Sequence, residues 1–443
     1  MKRRTFIKSG TMAGLAAVMM PKLSFTGPVL KPTIRVGMIG VGLRGTNHLA
    51  NILERDDVEV PAVCDIDLQR IPIVQEMLTK AGRPEAEAYT DSETAYLKLL
   101  ERDDLDGVII STPWIWHIPM VIDAMKAGKV AGLEVAGAFS VQECWDLVNT
   151  YEQTGVPMMF LENVCYRRDI MAVLNMVRQD MFGELIHCQG GYQHDLRDVK
   201  FQPGVEFGDK GVHEAVWRTQ HSINRNGDIY PTHGVGPLAV YLDINRGNRF
   251  VSLTSTATKS RGLHNFIVTN GGEDHPNAKI KFSLGDIVTT VIKCANGETV
   301  MLSHDTNLPR PYSLGFRVQG TKGLWMRDGN QIYLEDLSTE SHTWEPAEPY
   351  LEKYDHPLWK KYEDAAVGSG HGGMDFFVLN AYVESLKRGE NPPLDVYDAA
   401  AWSVITPLSE QSIIGGGAPQ MFPDFTGGRW IKRKPVFAMS EEY

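Results

Sequence analysis

Ile34-Arg35-Val36-Gly37-Met38-Ile39-Gly40-Val41-Gly42-Leu43-Arg44-Gly45 decides how the rest of the chain is read. Ile34, Val36, Met38 and Ile39 form an apolar strand that runs straight into Gly40-x-Gly42-x-x-Gly45, and Thr46-Asn47-His48-Leu49-Ala50-Asn51-Ile52-Leu53 continues with helical spacing. Strand, glycine turn and helix in that order make a dinucleotide site. Gly40 permits the tight turn, Gly42 lets a diphosphate approach the backbone, and Gly45 lets helix and strand pack closely with the helix N-terminus facing the negative charge. A second apolar strand, Val58 to Cys64, ends at Asp65, twenty residues beyond Gly45. A carboxylate there meets the ribose 2′-hydroxyl of NAD and repels the 2′-phosphate of NADP, so NAD is the cofactor expected.

The 443 residues exceed one ordinary core, so two domains are expected after any leader. Hydrophobic residues make up 43% of the chain and charged ones 22%, as in a water-soluble globular protein. A net charge of −11 argues against nucleic acid or an anionic membrane surface as partner. Cys64, Cys144, Cys165, Cys188 and Cys294 are scattered singly and odd in number; they suggest buried thiols, with neither a metal pattern nor a disulfide framework. At the N-terminus, Arg3-Arg4 precedes a short apolar stretch, Met12 to Met20, and then Pro21-Lys22. The stretch is too short to span a bilayer, so residues 1–30 read as a twin-arginine export signal and the destination as the periplasm.

From residue 31 to 163 strand and helix alternate. Gly107 to Thr112, Val130 to Val135 and Pro157 to Leu161 are the further strands of a doubly wound parallel sheet, with helices at Pro119–Ala127 and Val141–Thr154 between them. Ligands of such sheets lie beyond the carboxyl ends of the strands, so Asp65, Ser111 to Trp114, Glu134 and Asn163 should converge on one crevice. From 164 to 443 the texture changes. After a helix at Asp169–Gln179 come β-branched and aromatic strands: Leu185–Tyr192, Phe250–Thr258, Ile287–Lys293 and Thr299–His304, with further strands about Phe316 and Gly323. The expected fold class is α/β: a Rossmann domain followed by an α+β domain with an open-faced, mainly antiparallel sheet. A loop-rich insertion is expected from Asp195 to Gly227, and helices Met374–Arg388 and Val396–Ile413 close the chain.

These residues resemble the Gfo/Idh/MocA oxidoreductase superfamily, and more closely one branch, glycoside hydrolase family 109, the NAD-dependent α-N-acetylgalactosaminidases. The resemblance rests on V-G-L-R-G at Val41–Gly45, V-C-D at Val63–Asp65, W-I-W-H at Trp114–His117 and L-E-V at Leu133–Val135. It continues through E-N-V-C-Y at Glu162–Tyr166, G-Y-Q-H-D-L-R at Gly191–Arg197, Y-P-T-H-G-V-G-P at Tyr230–Pro237 and G-H-G-G-M-D at Gly370–Asp375. One departure from the wider superfamily stands out: its ordinary dehydrogenases carry Glu-Lys-Pro where this chain has Glu134-Val135-Ala136, so their catalytic lysine is absent.

The resemblance implies a cofactor set of Gly40, Gly42, Leu43, Arg44, Gly45, Asp65, Trp114, His117, Glu134, Val135, Asn163, Arg218 and Tyr230. It implies a substrate set of Tyr192, Tyr230, Pro231, Thr232, His233 and Tyr312, in which tyrosines stack on sugar faces and keep a hydroxyl for hydrogen bonding. His233 is the leading catalytic candidate, with Tyr230, Tyr192 and Glu134 beside it; Tyr230 would serve as a base if the nicotinamide's positive charge lowered its pKa. His371 lies in a glycine-rich loop near the pocket by analogy. The implied reaction is hydrolysis of a terminal α-N-acetylgalactosaminide, or a related hexoside, by NAD-dependent oxidation at C3, elimination, water addition and re-reduction. NAD would stay tightly bound and be recycled. An exported sugar oxidoreductase of the same superfamily and a non-catalytic sugar-binding protein are the competing readings. A small carbohydrate or glycan is the expected partner, with self-association through the open sheet.

Overall fold

The computed structural model describes residues 31–443, so the export signal expected over residues 1–30 lies outside the described residues. The N-terminal half alternates as expected: β1 (Ile34–Ile39), α1 (Leu43–Leu53), β2 (Val58–Cys64), α2 (Arg70–Lys80), β3 (Glu87–Tyr89), α3 (Ala95–Leu100), β4 (Gly107–Ile110), α4 (His117–Lys126), β5 (Val130–Leu133), α5 (Val141–Thr154) and β6 (Met158–Phe160). The six strands pair in the order β3-β2-β1-β4-β5-β6, every pair parallel. Helices cover both faces, which is why β4 and β6 are apolar and buried at every position.

The second half contains α6 (Arg168–Arg178), β7 (Leu185–Gln193), α7 (Arg197–Lys200), α8 (Ala215–Asn224), α9 (Thr232–Tyr241), β8 (Phe250–Ala257), α10 (Gly262–Gly271), β9 (Ile287–Cys294), β10 (Thr299–Asp305), β11 (Arg317–Gly320), β12 (Gly323–Met326), β13 (Gln331–Leu334) and β14 (Glu345–Pro346). After these come α11 (Glu348–Lys353), α12 (Pro357–Ala366), α13 (Met374–Arg388), α14 (Val396–Ser403), α15 (Ile405–Ile414) and β15 (Gln420–Met421). Nine strands form one sheet in the order β14-β13-β12-β11-β7-β10-β9-β8-β15. Most pairs are antiparallel, but the central pair of β7 and β10 is parallel. One face carries the core, with Val288, Ile292, Val300 and Leu302 buried, while Thr289, Met301 and Val291 on the other are half-buried or exposed.

Two expectations are corrected. The segment from Asp195 to Gly227 is not simply loop, because α7 and α8 lie within it and α8 supplies site residues. The helix expected over Val396–Ile413 is two helices meeting at Val404. Pro407 has no amide hydrogen, and its ring crowds the carbonyl four residues back, at Ser403, where α14 stops.

The C-terminal helices return to the first domain. Tyr382 of α13 donates to the carbonyl oxygens of Val130 (2.8 Å) and Val108 (3.1 Å). Gly107 makes room for it, since a Cβ there would stand 2.3 Å from the Tyr382 hydroxyl. Trp402 of α14 packs beside Phe160 of β6. The two halves of the chain therefore share a core, and the carboxyl ends of the parallel strands face the glycine-rich contact between β7 and α9.

Candidate active site

The crevice begins at the glycine turn. Gly40 adopts φ +81°, and a Cβ there would lie 2.8 Å from the Ser111 backbone; at Gly45 it would lie 2.0 Å from the Gly40 carbonyl. Gly42 has open space where its side chain would be. It precedes α1, which has no side-chain cap and no acidic residue in its first turn. The amides of that first turn are therefore available to an anion. Asp65 ties the turn to β2, accepting from the Val41 amide (2.8 Å) and the Asp67 amide (2.9 Å). The Leu43 side chain is 69% exposed at the mouth of this turn. Cradle, uncapped helix and carboxylate fit an NAD-type dinucleotide.

Arg44, expected at the cofactor, ties the glycine turn to the second domain. It donates to Glu134 Oε1 (2.6 Å) and, with both terminal nitrogens, to Asp375 (2.7 and 2.9 Å). Asn163 also donates to Asp375 (2.8 Å), while Val135 donates its amide to Glu134 Oε2 (2.9 Å). His48, buried on α1, bonds Glu134 Oε1 at 2.7 Å. Burial alone would raise the Glu134 carboxyl, but Arg44 and His48 outweigh it and hold the group down at about 2. A carboxylate held that low is ionised at neutral pH and adds a negative charge to the crevice. The sequence offered no cation beside Glu134; the fold supplies one from 90 positions away.

Trp114 and His117 part company. His117 is buried, and its ring nitrogens face the carbonyl oxygens of Ala136 and Thr112, to one of which a neutral ring donates. Trp114 joins the domains, stacked on Tyr230 with ring centroids 5.2 Å apart and edge-on to Trp217 at 5.0 Å. The Arg218 guanidinium lies over Trp114 at 5.0 Å and over Tyr230 at 5.8 Å. Each cation over a ring face contributes roughly 1–2 kcal/mol when desolvated.

From Tyr230 an aromatic row leads outward. Tyr192 lies 4.6 Å from Tyr230 and 5.5 Å from His233, Tyr230 lies 5.0 Å from His233, and Tyr312 flanks Tyr192 at 6.3 Å. Glycines make this convergence possible. A Cβ on Gly234 would meet the Gly191 amide at 2.4 Å, and one on Gly190 would meet the Gly234 carbonyl at 2.7 Å, so α9 lies directly against the backbone of β7. Pro231 and Thr232 are buried in the turn that starts α9, where the Pro231 carbonyl accepts from Val235 (2.8 Å). The opening beyond the row is a cavity of about 1090 Å³, lined by Tyr192, His194, His233, Tyr312 and His371 among others.

His233 has a partner that sequence reading missed. Its Nδ1 lies 2.6 Å from Oε1 of Glu162, a fully buried carboxylate at the end of β6 whose Oε2 has no partner. Gly236 lets it approach, since a Cβ there would sit 3.0 Å from the Glu162 side chain. An acid at a strand end beside Asn163 was the available clue. Because a carboxylate only accepts, the imidazole carries a hydrogen on Nδ1. Burial raises the phenols of both Tyr230 and Tyr192, against the partial pull of Arg218.

Comparison with known proteins assigns both domains to known families. Residues 34–161 match the oxidoreductase family with an NAD-binding Rossmann fold, and residues 166–432 match the glycosyl hydrolase 109 C-terminal domain. The chain belongs to glycosyl hydrolase family 109. A family 109 protein of Stenotrophomonas maltophilia (strain K279a) is 52% identical over all of this chain and 99% of its own. An alpha-N-acetylgalactosaminidase of Tannerella forsythia is 50% identical over 99% of each chain. Among solved structures, an NAD binding oxidoreductase from Klebsiella pneumoniae superposes with a TM-score of 0.67 at 16% identity, covering 89% of this chain and 100% of its own. A levoglucosan dehydrogenase in complex with NADH and L-sorbose superposes with a TM-score of 0.65 at 19% identity, over 89% and 100%. The family 109 chain is thus a glycosidase that carries an NAD-binding domain.

Proposed function

We propose that this glycosidase cleaves terminal α-N-acetylgalactosaminides by elimination and re-addition, with NAD held throughout the cycle. The observation that carries the reading is the 2.6 Å contact between His233 Nδ1 and buried Glu162, set in an aromatic row beside a glycine cradle. Gly40, Gly42, Gly45, Asp65 and the first turn of α1 would hold the dinucleotide, with Trp114 and Arg218 toward the second domain. NAD held there would supply a reversible hydride acceptor for the sugar C3. The resulting ketone acidifies the neighbouring C2 hydrogen, and His233 Nε2 removes that proton. Glu162 stabilises the imidazolium so formed, as the carboxylate of a hydrolase triad does. The leaving group departs from C1, water adds there, and His233, its proton exchanged with solvent in the open cavity, delivers a hydrogen to C2. Tyr192 and Tyr312 present ring faces and hydroxyls to the sugar. The relative from Tannerella forsythia supports the choice of sugar.

Because the hydride is returned in each turnover, retention of NAD costs the enzyme nothing. It would also suit the periplasmic location proposed from Arg3-Arg4, since twin-arginine export carries folded proteins. Copies would associate through the half-exposed face of the nine-stranded sheet, where Val291 is 40% exposed.

The test is to incubate purified protein, without added cofactor, with an aryl α-N-acetylgalactosaminide in deuterium oxide. Hydrolysis with deuterium at product C2, and NAD released on denaturation, are expected. Failure to hydrolyse even with NAD supplied, or product without deuterium, overturns the reading; steady accumulation of NADH would mark an oxidoreductase instead.

A further inference from the structure

Three side chains at α8 that the proposed reaction does not use reach across to the first domain. Trp217 and His221 stand four residues apart on one face of the helix, and Arg225 is the first residue beyond its end. Trp217 meets Trp114 edge-on at 5.0 Å. His221 touches two rings, 4.9 Å from Trp114 and stacked on Phe139 at 4.8 Å, and those two rings stack on each other at 5.7 Å. The Arg225 guanidinium lies over Phe139 at 4.8 Å, donates to the Phe139 carbonyl oxygen (2.9 Å) and pairs with Glu410 of α15 (3.4 Å). Burial first, then Arg225 and Arg218, take the His221 ring down to about 4, so at neutral pH it is uncharged and packs as a flat ring.

The place of these contacts says what they close. Trp114 follows β4 and Phe139 follows β5, so both stand at the carboxyl ends of parallel strands, where a doubly wound sheet holds its ligand. At the glycine turn the crevice is open, with free space beside Gly42 and Leu43 69% exposed. The helix α8 is seated on a small core of its own, in which Ala215 packs with Phe201, Phe207, Leu263 and Ile267 apart from the main core. It can therefore draw back from Trp114 and Phe139 while the main core stays shut.

We propose that α8 is a clasp that retains the dinucleotide between turnovers: Trp217, His221 and Arg225 pin the loops after β4 and β5 against the second domain, and the cofactor leaves when they let go. The inference rests on the reading above that NAD stays bound through the cycle, and it gives that retention a physical cause. Trp114 is the shared part, since the ring that the clasp holds is also the ring stacked on Tyr230 at 5.2 Å. Loosening the clasp thus frees the crevice at the end nearest the aromatic row.

The test is dialysis of the purified protein against nucleotide-free buffer, with bound nucleotide followed by its ultraviolet spectrum after acid release. From H221A, NAD should escape roughly 10–100-fold faster than from wild type, the factor that loss of one or two aromatic pairs implies. W217A and R225A should change in the same direction. Glycosidase activity should fade in step with nucleotide and return when NAD is added. H221F keeps a ring against Trp114 and Phe139 and should hold NAD as wild type does. G82A, which costs stability away from the clasp, should also retain it. Wild-type retention in H221A, escape from H221F as fast as from H221A, or equal escape from G82A overturns the clasp while leaving retained NAD standing. Wild-type protein that holds no nucleotide and takes none up removes the retained-NAD reading, and the clasp with it.

Discussion

The Arg44 guanidinium lies fork-to-fork on the Asp375 carboxylate, with bonds of 2.7 and 2.9 Å across 331 positions of sequence. Arg44 belongs to the glycine turn and Asp375 to the first turn of α13, so one ion pair fixes the cofactor cradle against the wall of the sugar cavity. The pair is partly buried, with Asp375 fully out of solvent and the Arg44 side chain 24% exposed. Removing one partner of such a pair leaves an unpaired charge, at about 3–5 kcal/mol. D375N should therefore lower the melting temperature markedly and purify with less bound NAD. Thermal unfolding and the ultraviolet spectrum of released nucleotide check both.

The same cluster predicts how stability depends on pH. Burial would raise Asp375 and Glu134, but Arg44 with His371 at one and with His48 at the other pulls both well below their ordinary values, Glu134 to about 2. A carboxyl depressed in the folded state contributes fully above its unfolded value, about 4, and loses that contribution as pH falls through the folded value. Urea midpoints should hold from pH 7 to about 5 and fall between about 4 and 2. In D375N that acid-side fall should be shallower.

Glu162 is expected to matter for rate and little for cofactor retention. E162Q keeps the volume but can no longer stabilise an imidazolium, so kcat should fall by roughly 10²–10⁴. NAD content should be unchanged. Wild-type kcat in E162Q would show that His233 works without its carboxylate.

Gly234 tests the convergence itself. In G234A the new Cβ would lie 2.4 Å from the Gly191 amide, and backbone cannot give way as a side chain can. Overpacking of this kind costs about 1–3 kcal/mol, and it pushes α9, with His233, away from Tyr192. A lower melting temperature with a disproportionate loss of kcat is expected. Alanine at Gly82, with φ +68° but open space, should cost stability and leave kcat alone.

Tyr382 separates packing from chemistry. Y382F removes a hydroxyl that donates to the carbonyls of Val108 and Val130, for a loss of about 0.5–1.5 kcal/mol. Denaturation midpoints should register it, and kcat should not.

The Rossmann half was legible because its rules are local. The apolar run of β1, the glycine spacing and a carboxylate at the end of β2 each follow from contacts made within a few residues or within one strand–helix unit. The turn at Tyr230–His233 was legible for the same reason, since proline and glycine punctuate it. Arg44, Glu134 and Asp375 were not, because the charge that settles each comes from another part of the chain. Glu162 stood in a quoted motif and His371 was placed near the pocket only by analogy; the carboxylate partner of each histidine appeared once Gly236 and Gly370 let Glu162 and Asp375 reach the rings. The sequence by itself determined a dinucleotide cradle followed by a sheet domain. Tertiary structure alone decided which ionisable groups are buried and which charges they pair with, because those neighbours come from distant parts of the chain that sequence order does not reveal.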